Sequence, residues 1–463
     1  MRRVAIIGGG IAGLSAAFYL ERARRGGAHL DWVLFDKSDR LGGVIRTELR
    51  DGYVLEAGPD SFLTMKPDGA QFCRDLGIGD QLIPSNDVDR KTYIVVKGRM
   101  IPIPDGLEFM VPTRVLPMAT TPLFSFATKL RMAGELFSPG GNHREDESVA
   151  DFVRRHFGQE MVDRVAEPLL AGVYGGNADM MSVRAVLPRF AEMERESGSL
   201  VRASLKARKA RRAESPAAKP APLFTSLRNG VQQMVDAALA QLPPDHLRMS
   251  TQVTAMKPLG DNWEIQYAGR TERFQTIILA TPAPAAAALL KQFHPALIEG
   301  LSQIQYSSSA AVVLAYGGLS LPPGHGFLVP RTENRKILAC TFVHKKFAHR
   351  APQGDCLLRC FISSSRVPEL LTYSDEQLQS MALTELKDLL GVTTRPKFAR
   401  VFRWDCALPQ YQTGHLDRVA KMESILAGIP GMHLVGNSFH GIGIPDCIRS
   451  GRKAAEQIIS SSC

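Results

Sequence analysis

The sequence predicts an α/β fold in which one parallel sheet is assembled from three separated stretches of chain, with two insertions carried between them. Three observations predict it. Residues 4–20 have the pattern of a buried strand, a glycine-rich turn and an apolar helix. Residues 274–282 have the pattern of a second buried strand that ends in small residues and a proline. Residues 433–459 have the pattern of a short strand, a loop holding Gly436, Gly441 and Gly443, and a terminal helix.

The first stretch is the most specific. Val4-Ala5-Ile6-Ile7 is a continuous apolar run, as expected of a strand covered on both faces. Gly8-Gly9-Gly10-Ile11-Ala12-Gly13 follows and opens a helix. Gly8 suits the tight turn, Gly10 lets the backbone approach a pyrophosphate, and Gly13 lets the helix pack closely on the strand. The helix N-terminus faces the phosphates with its partial positive charge. Trp32-Val33-Leu34-Phe35 is the next strand, and Asp36, followed by Lys37, closes it where a ribose hydroxyl would lie. A glycine turn without a ligand is the competing reading. The strand before it, the helix after it and the acidic residue beyond argue for a Rossmann-like dinucleotide site.

The residues after Asp36 separate two kinds of dinucleotide. Arg40-Leu41-Gly42-Gly43-Val44 resembles the extended FAD signature of the flavin amine oxidase superfamily. A second glycine pair lets another backbone segment lie against a long, extended cofactor. Glu56-Ala57-Gly58-Pro59 is similar to the superfamily's next flavin-side segment, with Asp60 and Ser61 beyond it. The strand at 274–282 resembles the one that closes the FAD domain, and Val253 before it is placed at the adenosine half. In the C-terminal stretch, Asn437 stands for ribityl hydroxyls where many flavoproteins have an acidic residue. Ile442, Gly443 and Ile444 lead into a helix whose N-terminus faces the flavin's pyrimidine edge, where negative charge develops on reduction. The cofactor expected is non-covalent FAD.

These stretches give a layout: a Rossmann-like FAD-binding domain of residues 1–74, 225–284 and 401–463, interrupted by an α+β substrate domain (75–100 and 285–400) and a mostly helical, membrane-binding subdomain (101–200). Residues 201–224 are expected to be a basic flexible linker. The formal net charge is +10, and much of it sits in residues 202–219, an Ala/Lys/Arg-rich run with no aromatic residue. Nucleic-acid binding by single strands pairs charge with stacking aromatics, so no nucleic-acid partner is expected. The seven cysteines are scattered, and Cys356 and Cys360 have neither a second pair nor a histidine set, so a core role is expected in place of disulfides or zinc. No run of about 18 apolar residues occurs, and the N-terminus has no apolar leader. A cytoplasmic setting is expected, with peripheral contact on the inner face of the membrane.

Within the superfamily, several motifs resemble the protoporphyrinogen/coproporphyrinogen oxidases. They are Gly58-Pro59-Asp60-Ser61-Phe62; Gly172-Val173-Tyr174-Gly175-Gly176-Asn177 with Ser182-Val183-Arg184; Gly326-Phe327-Leu328-Val329-Pro330; Pro409-Gln410-Tyr411 with Gly414-His415; and the run 441–452. They span nearly the whole chain in order. The resemblance implies an oxygen-dependent, six-electron oxidation of a porphyrinogen to a porphyrin with hydrogen peroxide released. Protoporphyrinogen IX is the first substrate expected and coproporphyrinogen III the alternative. No strong acid or base is implied, because the flavin carries the redox chemistry. By resemblance, Leu328 and Phe361 sandwich the tetrapyrrole, Gly326 leaves room, and Gly172 lines the cavity. A homodimer and hand-over of product to a ferrochelatase are further implications. Several family members place an arginine against a substrate propionate where this chain has Thr92; Arg90 is the substitute that strand alternation would put on the same face. The segment 110–137 is apolar and dotted with Lys129 and Arg131, and the family's helical domain there lies against membranes.

Two other classes compete. Another oxidase of the superfamily, such as an amine oxidase, would show paired aromatic residues in the C-terminal motif; Phe439 stands without a partner beside it. A non-catalytic tetrapyrrole carrier would bind porphyrin without releasing peroxide.

Overall fold

Val4-Ala5-Ile6-Ile7 forms most of strand Arg2–Ile7 in the computed structural model, which describes residues 1–88, 90–139, 145–214, 221–291 and 293–461. That strand sits at the centre of a parallel sheet whose order is Leu247–Arg248, Leu30–Phe35, Arg2–Ile7, Thr276–Leu279 and Met432–Leu434. The three separated stretches therefore lie side by side. Ile7 is in register with Phe35 and with Leu279, and Leu279 with Leu434. The carboxyl ends of the central strands thus align at one edge, where ligands bind in open α/β sheets. Helix Ile11–Arg25 covers this sheet with Leu14, Ala17 and Phe18, and helix Ile444–Ser460 joins it through Ile448, Ala455 and Ile458. The two helices touch closely: Ser15 donates a hydrogen bond to the Ile448 carbonyl at 2.9 Å, and a Cβ on Gly451 would overlap the Ala12 carbonyl oxygen.

The chain divides into two units. One comprises Met1–Ser85, Pro222–Gln305 and Leu416–Cys463, and the other Asn86–Ala221 and Tyr306–His415. The first unit is drawn from three stretches of chain and the second from two, and their borders differ from the layout expected. Residues 401–409 belong to strand Phe398–Pro409, which pairs with Tyr306–Gly317 in the second unit. Residues 286–305 belong to the first. The helical segment and the second sheet share a unit, because helix Glu167–Tyr174 packs on that sheet.

The second sheet has the order Phe398–Pro409, Tyr306–Gly317, Asp355–Ser363, Ala339–Phe342, Gly326–Leu328, Thr92–Val96 and Arg99–Pro102. On one face Val312, Leu314, Leu358, Cys360 and Ile362 pack under Leu378, Ala382 and Leu386 of helix Asp375–Leu390. Cys356 and Cys360 are both buried in this core, as their spacing suggests. The helix starts on a capping box, Ser374 with Gln377. The basic run departs from the linker expected: residues 200–214 form helix Leu200–Glu214, and 215–220 lie outside the described residues. The described glycine-free part of this run is rich in alanine, lysine and arginine, all good helix formers.

Candidate functional site

At the aligned strand ends of the first unit, Gly8 takes φ +110°, and a Cβ there would sit 2.7 Å from the Ala280 carbonyl oxygen. Gly10, the N-cap of the first helix, is different: a Cβ on it would meet no heavy atom within 4 Å. Its space is open, as it must be if a ligand backbone is to lie there. Beside Gly8, the hydroxyl oxygen of Thr281 is buried and has no hydrogen-bond partner among the described residues. An orphaned hydroxyl, an open glycine and a helix N-terminus with unpaired amides suit a polar, anionic group such as a pyrophosphate. The residues present therefore fit a dinucleotide.

Asp36 is held rather than loose. One carboxylate oxygen accepts the Gly9 amide at 2.6 Å and the other the Ser38 amide at 2.8 Å. Each oxygen keeps a lone pair for a ribose hydroxyl. The Thr251 amide donates to the Asp36 carbonyl at 2.8 Å, which brings Val253 alongside. Lys37 is exposed. The second glycine pair lies against the first turn: Gly42 donates to the Gly9 carbonyl at 2.7 Å, and Gly43 would place a Cβ 3.2 Å from the Gly10 Cα. Arg40 frames this pair by donating to the carbonyls of Gly43, at 2.7 Å, and Ile45. Sequence reasoning quoted Arg40 within its motif but did not assign it this positioning role, and Thr281 it missed. Arg40 acts within its own loop, three and five residues on, whereas Thr281 reaches the Gly8 turn only in the folded chain, which spacing does not encode. Beyond, Gly58 packs against Val44, which is itself partly exposed, and Ser61 donates to the Asp60 carboxylate at 2.7 Å.

In the C-terminal stretch the helix begins at Ile444 on the N-cap Gly443, with Ile442 before it. Asp446 is buried; one carboxylate oxygen takes the Lys66 ammonium and the other the Arg449 guanidinium, both at 2.6 Å. Its carboxyl fills the space a Cβ on Gly441 would need. Asp446 therefore braces the loop and its carboxylate is committed to protein cations. Gly436, one residue before Asn437, has open space where a Cβ would be.

In the second unit, Leu328, Ala339 and Phe361 stand in one cross-strand row. Leu328 and Phe361 pack against Ala171, Leu338 and Ala339, and a Cβ on Gly172 would lie 3.7 Å from Leu328. The structure thus brings Gly172, Leu328 and Phe361 together. Gly326 has φ +137°, and a Cβ would overlap the Cys340 carbonyl, so only glycine fits. Thr92 pairs with Gly326 in the neighbouring strand. Arg90 departs from expectation: the strand starts at Thr92, so alternation does not reach residue 90, and Arg90 is exposed and pairs with Asp87 at 3.6 Å.

An ion pair holds the helix to this sheet. Glu167, at the start of Glu167–Tyr174, accepts the Arg331 amide at 3.2 Å and faces Arg366 at 3.5 Å. Arg366 donates to the carbonyls of Ile337, at 2.8 Å, and Val329, at 2.5 Å, the residues next to Leu338 and Leu328. Burial pushes the Glu167 carboxyl up and the Arg366 guanidinium down, each offset in part by the other. A π-helical turn, Val162–Ala166, immediately precedes this helix. A cavity of about 180 Å³ nearby is lined by Asp163, Glu167 and Asp179 with Arg331. Its carboxylates make it a poor host for a substrate bearing propionates. Among the described residues, no cluster of His, Cys, Asp and Glu could hold a metal.

Comparison with known proteins identifies the family. Residues 11–459 match the model of the flavin containing amine oxidoreductase family. The coproporphyrinogen III oxidase of Bacillus subtilis is 34% identical, over 99% of this chain and 98% of that protein. The chloroplastic protoporphyrinogen oxidase of Nicotiana tabacum is 28% identical over 98% of this chain and 84% of its own. A crystal structure of a provisionally assigned protoporphyrinogen oxidase from Exiguobacterium sp. 255-15 superposes with a TM-score of 0.87, at 31% identity and 99% coverage of both chains. Putrescine oxidase, at 16% identity over 99% of both chains and a TM-score of 0.72, shares the fold.

Proposed function

This chain belongs to the flavin-containing amine oxidoreductase family and, within it, to the porphyrinogen oxidases, and from that premise we propose that it oxidises coproporphyrinogen III to coproporphyrin III with FAD and molecular oxygen. One observation carries the choice of substrate. Bacterial relatives at 30–34% identity along almost the whole chain bear the coproporphyrinogen III oxidase name, whereas the plant protoporphyrinogen oxidase is matched at 28%. Protoporphyrinogen IX, the substrate first expected, is the second reading, favoured by the Exiguobacterium structure's assignment.

FAD fits the open Gly10 turn, the orphaned Thr281 hydroxyl and the fixed Asp36 carboxylate. When bound it supplies hydride acceptance and reoxidation by oxygen. The chain's own task is to hold and orient: Leu328 and Phe361 offer a flat apolar platform, and Gly172 and Gly326 keep it clear. Peripheral binding to an anionic membrane is part of the same reading. Val115, Leu116, Phe126, Leu130 and Phe137 are exposed apolar side chains near Lys129 and Arg131. No helix among the described residues is long and apolar enough to cross a membrane.

The test gives purified protein each porphyrinogen in air and follows porphyrin fluorescence and peroxide together. The expected result is porphyrin from both, with kcat/KM at least tenfold higher for coproporphyrinogen III. A preference for protoporphyrinogen IX would reverse the substrate choice.

A further inference from the structure

We propose that Arg359 receives a propionate carboxylate of the substrate and thereby sets its affinity, an inference that rests on Leu328 and Phe361 facing the macrocycle. Side chains two residues apart on a strand share a face. Arg359 therefore shares a face with Phe361 on Asp355–Ser363, and the sheet register carries that row onward. Leu328, Ala339 and Phe361 are aligned, and the next row on the same face is Gly326, Thr341 and Arg359, with Thr92 beyond Gly326. The opposite face, under helix Asp375–Leu390, takes Leu358, Cys360 and Ile362 instead.

The guanidinium turns toward the platform: its central carbon lies 4.7 Å from the Phe361 ring centroid. A planar guanidinium beside the platform can hold a carboxylate with two parallel hydrogen bonds in addition to its contacts within the protein. Between Arg359 and Thr92 the row holds only Thr341 and Gly326, so small residues floor the trough beside the cation. Arg359 is 5% exposed, and a charge so withdrawn from water discriminates strongly between an anionic and a neutral partner. Thr92 stands three strands away, about 14 Å at the usual strand spacing. The cation on this platform thus lies across the trough from the position that Thr92 occupies.

The experiment compares Arg359→Met and Arg359→Lys with wild-type holoenzyme on coproporphyrinogen III and on its tetramethyl ester, which keeps the macrocycle and removes every carboxylate. The expected result for R359M is a KM for the acid raised roughly ten- to hundredfold, the scale of one charge-assisted pair. The KM for the ester should stay within about twofold, kcat for both substrates should be little changed, and R359K should fall between. Equal losses on acid and ester, an unchanged KM for the acid, or loss of bound flavin in both variants would overturn the proposal. A wild-type enzyme that oxidises no porphyrinogen would refute the functional reading itself, and this assignment with it.

Discussion

At the residue scale, Gly8 and Gly10 are two residues apart yet have opposite duties. Gly8 is fixed by protein: positive φ and the Ala280 carbonyl leave no room for a side chain. Gly10 is not fixed by protein, which leaves its Cβ position open, so in the proposed reading the flavin is what requires it. Gly10→Val should therefore fold with a melting temperature close to that of flavin-free wild type, but emerge without bound flavin. Gly8→Ala should lose stability outright, by about 1–3 kcal/mol from backbone strain, with or without flavin. Absorbance of the bound flavin and a thermal melt of the apoprotein separate the two; a yellow G10V protein would refute the cradle. The glycine spacing and Asp36 were legible because their backbone demands are local. Thr281 was not, because only the folded chain brings it beside Gly8, and Arg40 was not, because the conformation of its own loop decides that its guanidinium turns back on the Gly43 and Ile45 carbonyls. Arg90 misled for a related reason: alternation holds only inside a strand, and nothing in residues 89–92 marks where the strand begins.

At the element scale, the helix Leu200–Glu214 shows how a charge run hides structure. Its N-terminus is capped locally by Ser199, whose hydroxyl accepts the Arg202 amide at 3.0 Å, and from a distance by Glu135, which accepts the amides of Leu200, at 2.7 Å, and Val201, at 3.1 Å, and the Ser199 hydroxyl at 2.8 Å. The Glu135 cap lies more than sixty residues upstream, beyond the reach of local patterning. Glu135 also bonds His156 at 2.9 Å, and His156 meets Glu194 at 3.2 Å. Arg155 pairs with Glu194 and Glu147, and the rings of Phe152 and Phe157 flank the imidazole. Burial alone would lower the His156 pKa, but the hydrogen bonds to Glu135 and Glu194 outweigh it and raise it above 6.5. Burial alone would raise the Glu194 pKa, and the His156 and Arg155 hydrogen bonds outweigh that, bringing it to about 2. The signs follow. Stability from His156 is complete below its ordinary pKa and is lost as pH rises through the elevated one. Stability from Glu194 is complete above 4.5 and is lost as pH falls toward 2. Hydrogen-exchange protection in residues 126–135, 149–157 and 200–210, with the intrinsic pH dependence of amide exchange divided out, should be greatest between about pH 4.5 and 6.5. The alkaline loss of protection should vanish in His156→Gln; a loss that persists in that variant would refute the histidine assignment.

The Glu167–Arg366 pair acts between elements too, tying the Gly172 helix to the Leu328 strand. Removing one partner leaves a buried charge alone, at a cost of about 3–5 kcal/mol. Arg366→Met should thus lower the melting temperature and raise KM together, since the same pair sets the gap between Gly172 and Leu328. A variant with lowered stability and an unchanged KM would confine the pair to folding. Neither Glu167 nor Arg366 was legible as a pair in the sequence, being almost two hundred residues apart.

At the scale of the whole molecule, the order of motifs made the interrupted parallel sheet legible, because the strands ending at Ile7, Leu279 and Leu434 are short apolar runs with glycine or proline within three residues beyond. The borders were less so: strand Phe398–Pro409 carries Arg400 and Arg403 on opposite faces, so no alternation of apolar and polar residues tells which sheet it joins. The same scale governs membrane contact. The chain carries a net charge of +10, and exposed apolar side chains gather on two neighbouring helices, Val115–Thr120 and Phe126–Glu135. Lys129 links them by donating to the Ala119 carbonyl at 2.8 Å. Phe126 and Leu130, one turn apart, are 76% and 57% exposed, so the outward face of the second helix is apolar. A surface of this kind binds through two weak terms, insertion of apolar side chains and attraction to anionic headgroups, and needs both. The protein should float with vesicles containing phosphatidylglycerol, bind neutral vesicles weakly, and release as salt rises and the Debye length shrinks. Leu116→Glu combined with Phe126→Glu should abolish flotation while leaving turnover of soluble substrate within about twofold, because exposed surface changes away from a site cost little stability. Equal flotation of the double variant would mean that basic charge elsewhere on the chain makes the contact, and the two helices would lose their assigned role.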